Sequence, residues 1–108
     1  MCGIAGFTRF STSLGDQKLL QNMGNVIYHR GPDAGGEYLD DGVGLCHRRL
    51  SIIDLSEAGN QPMHSADGKL VIVFNGEIYN FQALREELLQ DGYDFSSRTD
   101  TEVLLALY

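Results

Sequence analysis

The amino-acid sequence predicts an α+β domain of antiparallel strands packed with helices. Three observations carry the prediction. Short apolar runs bounded by Gly, Asp or Asn have strand length. An Asp41-Gly42 dipeptide joins two such runs, which is a strong hairpin signal. Longer segments repeat their apolar residues at helical spacing.

The elements follow in order. Gly3 to Phe7 is apolar and reads as a buried strand beginning almost at the terminus. Leu19, Leu20, Met23, Val26 and Ile27 predict a helix over 16–28, with Asp16 as N-cap. Gly24 weakens that helix by ~1 kcal/mol relative to Ala. Arg30-Gly31-Pro32-Asp33 stops it, and Gly35-Gly36 extends the loop. Glu37 to Asp40 and Val43 to Arg49 form the hairpin. Residues 54–68, rich in Ser, Gly, Asn, Asp and Pro, read as a long loop of the kind that often carries function. Lys69 to Phe74 reads as a buried strand after a turn at Asp67-Gly68. Asn80 is placed to cap a helix over 81–91, with Phe81, Leu84, Leu88 and Leu89 on one face and Gly92 as its stop. Thr99-x-x-Glu102 fits a capping box before Val103, Leu104, Leu105 and Leu107. That last helix is still running at Tyr108, so an incomplete domain is expected.

Length and composition narrow the function. At 108 residues the chain is one domain or part of one. Leu, Ile, Val and Phe supply 30 of those residues, above the roughly 20% below which charged chains stay unfolded. A net charge of −7 argues against a general nucleic-acid binder. No apolar run approaches the ~20 residues needed to span a bilayer, and the N-terminus lacks the basic region of a signal peptide. Two cysteines 44 positions apart make no disulfide framework. A soluble, reduced, cytoplasmic protein is expected.

Three places offer chemistry. Removal of Met1 would leave Cys2 with a free α-amine of reference pKa ~7.7–8.0, able to serve as base for its own thiol nucleophile. Position alone favours an incidental cysteine beside the first residue. At the end of the 69–74 strand, the carboxamide of Asn75 and the N–H of Gly76 form a donor pair that can stabilise an oxyanion. Asn-Gly is also ordinary turn chemistry. In His47-Arg48-Arg49-Leu50-Ser51, alternation sends the two arginines to opposite faces, so one at most grips a carboxylate in a given pocket. The alternative there is a solvated edge strand. Cys2, Cys46, His29, His47 and His64 lack metal-ligand spacing, so no metal site is expected. Cys46 reads as a buried small apolar residue, and a papain-like Cys–His pair has no His that sequence can place near Cys2.

Met1-Cys2-Gly3-Ile4-Ala5-Gly6-Phe7, Arg30-Gly31-Pro32-Asp33, His47-Arg48-Arg49-Leu50-Ser51-Ile52-Ile53-Asp54, Asn75-Gly76-Glu77-Ile78-Tyr79-Asn80 and Thr99-Asp100-Thr101-Glu102-Val103 occur in this order. The set resembles the N-terminal glutaminase domain of glutamine-hydrolysing asparagine synthetases, which are class II glutamine amidotransferases. The resemblance implies an N-terminal-nucleophile hydrolase fold, an αββα sandwich of antiparallel sheets. Residues 1–108 would be its N-terminal part, truncated and without the ATP-dependent synthetase domain.

By the resemblance, Cys2 is the nucleophile, and Asn75 and Gly76 form the oxyanion hole. Arg49 grips the α-carboxylate of L-glutamine, Asp100 partners its α-ammonium, and Glu77, Ile52 and Ile53 make further contacts. No cofactor is expected in this chain, and ATP and Mg would belong to the synthetase domain of the full-length parent. There, ammonia would amidate aspartate. Other readings are an inert or regulatory fragment of the same ancestry, or an amidotransferase for another acceptor. Unpaired edges of a truncated sheet would favour homo-oligomers.

Overall fold

The computed structural model describes residues 2–9, 15–51 and 56–108. Among the described residues it is an α+β arrangement with two antiparallel sheets and three α-helices. Strand β1 is Gly3–Thr8, β2 is Ala34–Asp40 and β3 is Val43–Arg49, in the order β1-β3-β2. Met63–His64 (β4) and Val71–Ile72 (β5) form a separate two-stranded ribbon.

β3 is the central strand, so the hairpin register fixes the layout. Gly3 pairs with Arg48 and Thr8 with Val43 on one side, and Ala34 pairs with Arg49 on the other. The Asp41-Gly42 turn closes the hairpin with Gly42 alone at positive φ, 76°. β1 is an edge strand with alternating burial, and Ile4 is 46% exposed, so the expected fully buried strand is corrected. A strand paired on one side only, with one face covered, keeps only alternate residues from water.

α1, Asp16–Val26, covers one face of this sheet, and residues 61–64 cover the β2 side of the other. On the α1 face, Arg48 Nε donates to Gly24 O at 3.4 Å, and its guanidinium sits 4.7 Å over the Tyr28 ring. Leu20 and Cys46 are fully buried, and burial pushes the Cys46 thiol above its ordinary range. Gly36 and Tyr38 turn to the other face. Gly36 packs against the Gln61 carbonyl and Pro62, and the Tyr38 ring meets His64 edge-on at 5.7 Å. α2 (Phe81–Gln90) and α3 (Asp100–Leu107) pack on each other, and Thr101 of α3 accepts from Gln61 Nε2 at 3.2 Å. Among the described residues no helix is long and apolar enough to cross a membrane.

Several local expectations are corrected. α1 is capped at Gly15 without a side-chain bond, while Asp16 is buried and pairs with Arg9 at 3.2 Å. A buried carboxylate gains more from a cation than from its own helix end. The helix stops at Val26, before a 3₁₀ turn at Tyr28–Arg30. Within the expected 54–68 loop the structure has a 3₁₀ turn at Glu57–Gly59 and β4. The strand expected over Lys69–Phe74 pairs only at Val71–Ile72 and is half-buried, because its sole partner β4 has two residues. Asn80 gives α2 no side-chain cap, and Leu89 is largely exposed. The far end of α2 closes as expected, with Tyr93 N bonded to Leu88 O at 2.9 Å and Gly92 N to Leu89 O at 3.1 Å.

At α3 half of the capping box is present. Thr99 Oγ1 accepts from Glu102 N at 3.2 Å. The Glu102 carboxylate does not return to Thr99. It accepts from Ser96 N, Ser97 N and Ser97 Oγ at 2.7–2.9 Å, tying the preceding loop to the helix.

Candidate active site

Antiparallel pairing puts the start of β1 beside the end of β3. Gly3 is opposite Arg48, so Cys2, one residue earlier, comes alongside Arg49 and Leu50. Leu50 N donates to Cys2 Sγ at 3.2 Å, and the thiol reaches Leu50 O at 3.6 Å. The Arg-Gly-Pro-Asp segment secures this strand end. Asp33 N donates to Arg49 O at 3.0 Å, and Asp33 Oδ2 accepts from Ser51 N at 2.8 Å. Gly31 lies so close to the Arg48 backbone that a Cβ there would collide with it.

Cys2 and Arg49 open into a cavity of about 410 Å³. That is near the small end of the ~300–1,000 Å³ usual for small-molecule sites. Asn75, Gly76, Glu77 and Asp100 line the same cavity. Six of the sequence-predicted site residues therefore meet there. Ile52 and Ile53 lie outside the described residues.

The cavity collects buried polarity. Of the nine buried polar or charged residues described, His47, Arg49, Gln61, Thr99, Asp100 and Thr101 all line it. Buried polar groups need partners, so the unpartnered ones mark where a ligand binds. Arg49 is 6% exposed. Its Nη1 donates to Ser56 O at 2.5 Å and Asn60 Oδ1 at 2.7 Å. Neither acceptor is a carboxylate, and no acid lies within ion-pair distance among the described residues. Nη2 rests against Gly59, where a Cβ would overlap it. Asp100, also 6% exposed, accepts from Ile78 N at 3.0 Å and has no cation partner among the described residues. Among the described residues, one cavity thus holds a cation and an anion that have no ion-pair partner and do not pair with each other.

The Asn75–Glu77 segment adds donors. Phe74 N and Ile78 N are bonded to Gln61 Oε1 (2.6 Å) and Asp100. The N–H groups of Asn75, Gly76 and Glu77 have no acceptor among the described residues. The Asn75 side chain and the Gly76 N–H therefore stay available to an oxygen in the cavity. The Phe74 ring packs closely against Gly76.

His47 lies buried at this cavity, and among the described residues neither ring nitrogen has a hydrogen-bond partner. Burial pushes its pKa below the ordinary 6.5, opposed by the Phe74 backbone and reinforced by the charge of Arg49. Sequence reasoning attached no role here to His47, Gln61, Thr101 or Tyr79, the last 92% exposed at the rim. Gln61 sits in a segment with no periodicity, so nothing in its neighbourhood flagged it. Arg48 is directed away from the cavity, toward α1, as alternation requires. Among the described residues no three His, Cys, Asp or Glu side chains gather as metal ligands.

The whole chain, residues 1–108, matches the family model described as the glutamine amidotransferase domain. Over its full length it is 48% identical to glutamine-hydrolysing asparagine synthetase 1 of Bacillus subtilis (strain 168). It is 43% identical to glutamine-hydrolysing asparagine synthetase B of Escherichia coli (strain K12) and 42% identical to amidase chry2 of Gibberella zeae. The chain spans 17%, 19% and 18% of those three relatives, less than a fifth of each.

Proposed function

We propose, from the premise that the chain belongs to the glutamine amidotransferase domain family, that its cavity binds L-glutamine and hydrolyses the side-chain amide through the Cys2 thiol. The observation that carries the reading is the pair of buried charges, Arg49 and Asp100, that line one cavity and find no ion-pair partner among the described residues. A free amino acid presents a carboxylate and an ammonium on one carbon. Arg49 matches the first and Asp100 the second. A substrate lacking either charge would leave one of them buried and unpaired, which gives selectivity for an amino acid.

Held in that way, the side-chain amide extends toward Cys2 and the Asn75-Gly76 donors. The sulfur attacks the amide carbon, and the carbonyl oxygen takes up negative charge. The Asn75 carboxamide and Gly76 N–H stabilise that oxygen, each donor contributing roughly 3–4 kcal/mol in the transition state. After removal of Met1, the α-amine of Cys2 takes the thiol proton and delivers it to the departing nitrogen. The C–N bond breaks, ammonia leaves, and a γ-glutamyl thioester remains. Water attacks the thioester, giving glutamate and restoring the thiol.

In the full-length protein we assign the ammonia to amidation of aspartate, with ATP and Mg²⁺ acting outside this chain. Two relatives, 42–43% identical, are named amidases and not asparagine synthetases, so the second reading is an amidotransferase for another acceptor. Product analysis with aspartate as sole acceptor separates the two. Two free thiols fit a reducing, cytoplasmic setting, which cell fractionation checks.

The test is direct. Cys2→Ala in the full-length protein should abolish glutamine-dependent ammonia release, and so should any change that retains Met1. A diazo-ketone analogue of glutamine should label Cys2 and spare Cys46. Normal turnover by a protein with Met1 still attached would refute the amine as base.

A further inference from the structure

The Asn75-Gly76 donors sit on a segment that no sheet holds. β5 ends at Ile72 and α2 begins at Phe81. Backbone amides in this stretch bond to two side chains instead. At the front, Phe74 N donates to Gln61 Oε1 at 2.6 Å; at the back, Ile78 N donates to Asp100 Oδ2 at 3.0 Å. The other end of the Gln61 amide, Nε2, donates to Thr101 Oγ1 at 3.2 Å. Gln61 is itself buried, and its backbone carbonyl is pressed onto Gly36 of β2. One residue therefore rests its backbone on the central sheet while its side chain joins the donor segment to the first turn of α3, which carries Asp100.

We propose that Gln61 is a positioning residue that sets the Asn75-Gly76 donors in register with Asp100. It touches neither the reacting atoms nor the charged ends of the substrate in the proposed reading, on which this inference rests. A side-chain amide suits the task because it offers one acceptor and one donor in a fixed plane. Phe74 N requires the acceptor and Thr101 Oγ1 takes the donor. Misplacing oxyanion donors by about an ångström costs on the order of a hundredfold in rate, so the link acts on kcat more than on substrate affinity.

The experiment uses the full-length protein and three variants. Gln61→Met removes both bonds at similar volume. Gln61→Glu keeps the acceptor for Phe74 N, and Thr101→Val deletes the partner of Nε2 alone. Gln61→Met should lower kcat for glutamine hydrolysis at least about tenfold with KM within about threefold. Alkylation of Cys2 by iodoacetamide, which needs no oxyanion donors, should proceed at the wild-type rate. Gln61→Glu should recover much of the lost kcat, and Thr101→Val should lower kcat by about threefold or more. Wild-type kcat in Gln61→Met overturns the proposal, as do equal losses in kcat and alkylation. If Gln61→Met does not fold, Thr101→Val decides, and unchanged kcat there overturns it. A wild-type protein that releases no ammonia from glutamine would instead sink the proposed function.

Discussion

Replacing Arg49 by Lys tests the charge reading most sharply, because it keeps the cation and removes the fork. In the structure Nη1 is committed to Ser56 O and Asn60 Oδ1, while Nη2, against Gly59 of the cavity lining, has no acceptor among the described residues. A lysine ammonium is a single point and cannot serve both the two protein acceptors and a substrate carboxylate in that geometry. A hydrogen bond to a charged group contributes about 1.5–3 kcal/mol, and about 1.4 kcal/mol is a tenfold change in binding. Arg49→Lys should therefore raise KM for L-glutamine about ten- to a hundredfold, with a smaller effect on kcat. Initial rates of glutamate formation over a range of glutamine concentrations measure this. A companion substrate, the α-carboxamide of L-glutamine, sharpens it. Wild-type protein should discriminate strongly against that compound, and the variant much less. A variant that keeps wild-type KM and wild-type discrimination would refute the assignment of Arg49 to a carboxylate, provided its thermal midpoint is unchanged.

Two further predictions follow from packing and titration. Gly59→Ala puts a methyl where the Arg49 Nη2 lies, against a guanidinium pinned through Nη1, so KM should rise and stability fall by about 1–3 kcal/mol. Paired kinetics and urea melts check both effects, and unchanged values in both contradict the packing argument. His47 is held neutral by burial, with its pKa below 6.5 in the folded protein. Between the folded value and 6.5 the unfolded chain binds more protons, so stability rises with pH there and is lost as pH falls from about 6.5. His47→Gln should flatten that slope in urea melts at several pH values, and an unaltered slope contradicts it.

Several elements were legible from local pattern. The Asp41-Gly42 hairpin, helix α1 and the Gly92 stop follow from residues a few positions apart, where propensity and periodicity act. The opposite facing of Arg48 and Arg49 follows from the two-residue period of a strand. Departures appear where a group outside the local motif competed, even one only five to seven positions away. Asp16 left its capping role for Arg9, and Glu102 turned to the Ser96–Ser97 amides. The strand over 69–74 shrank to the length of its two-residue partner.

By itself the sequence determined the kinds of chemistry available: a thiol at position 2, an Arg at a strand end, and an amide beside Gly at 75–76. It also carried family membership, because the motif order survives whatever the packing. Only the tertiary structure decided that Arg49 and Asp100 line one cavity with no countercharge among the described residues, and that Gln61 joins the segments holding the donors and Asp100. The physical reason lies in separation along the chain. Cys2 meets Leu50 only through the β1–β3 register, and Gln61 reaches Thr101 across forty positions. Such encounters depend on which buried polar group finds a partner in the folded whole, and local composition does not record that choice.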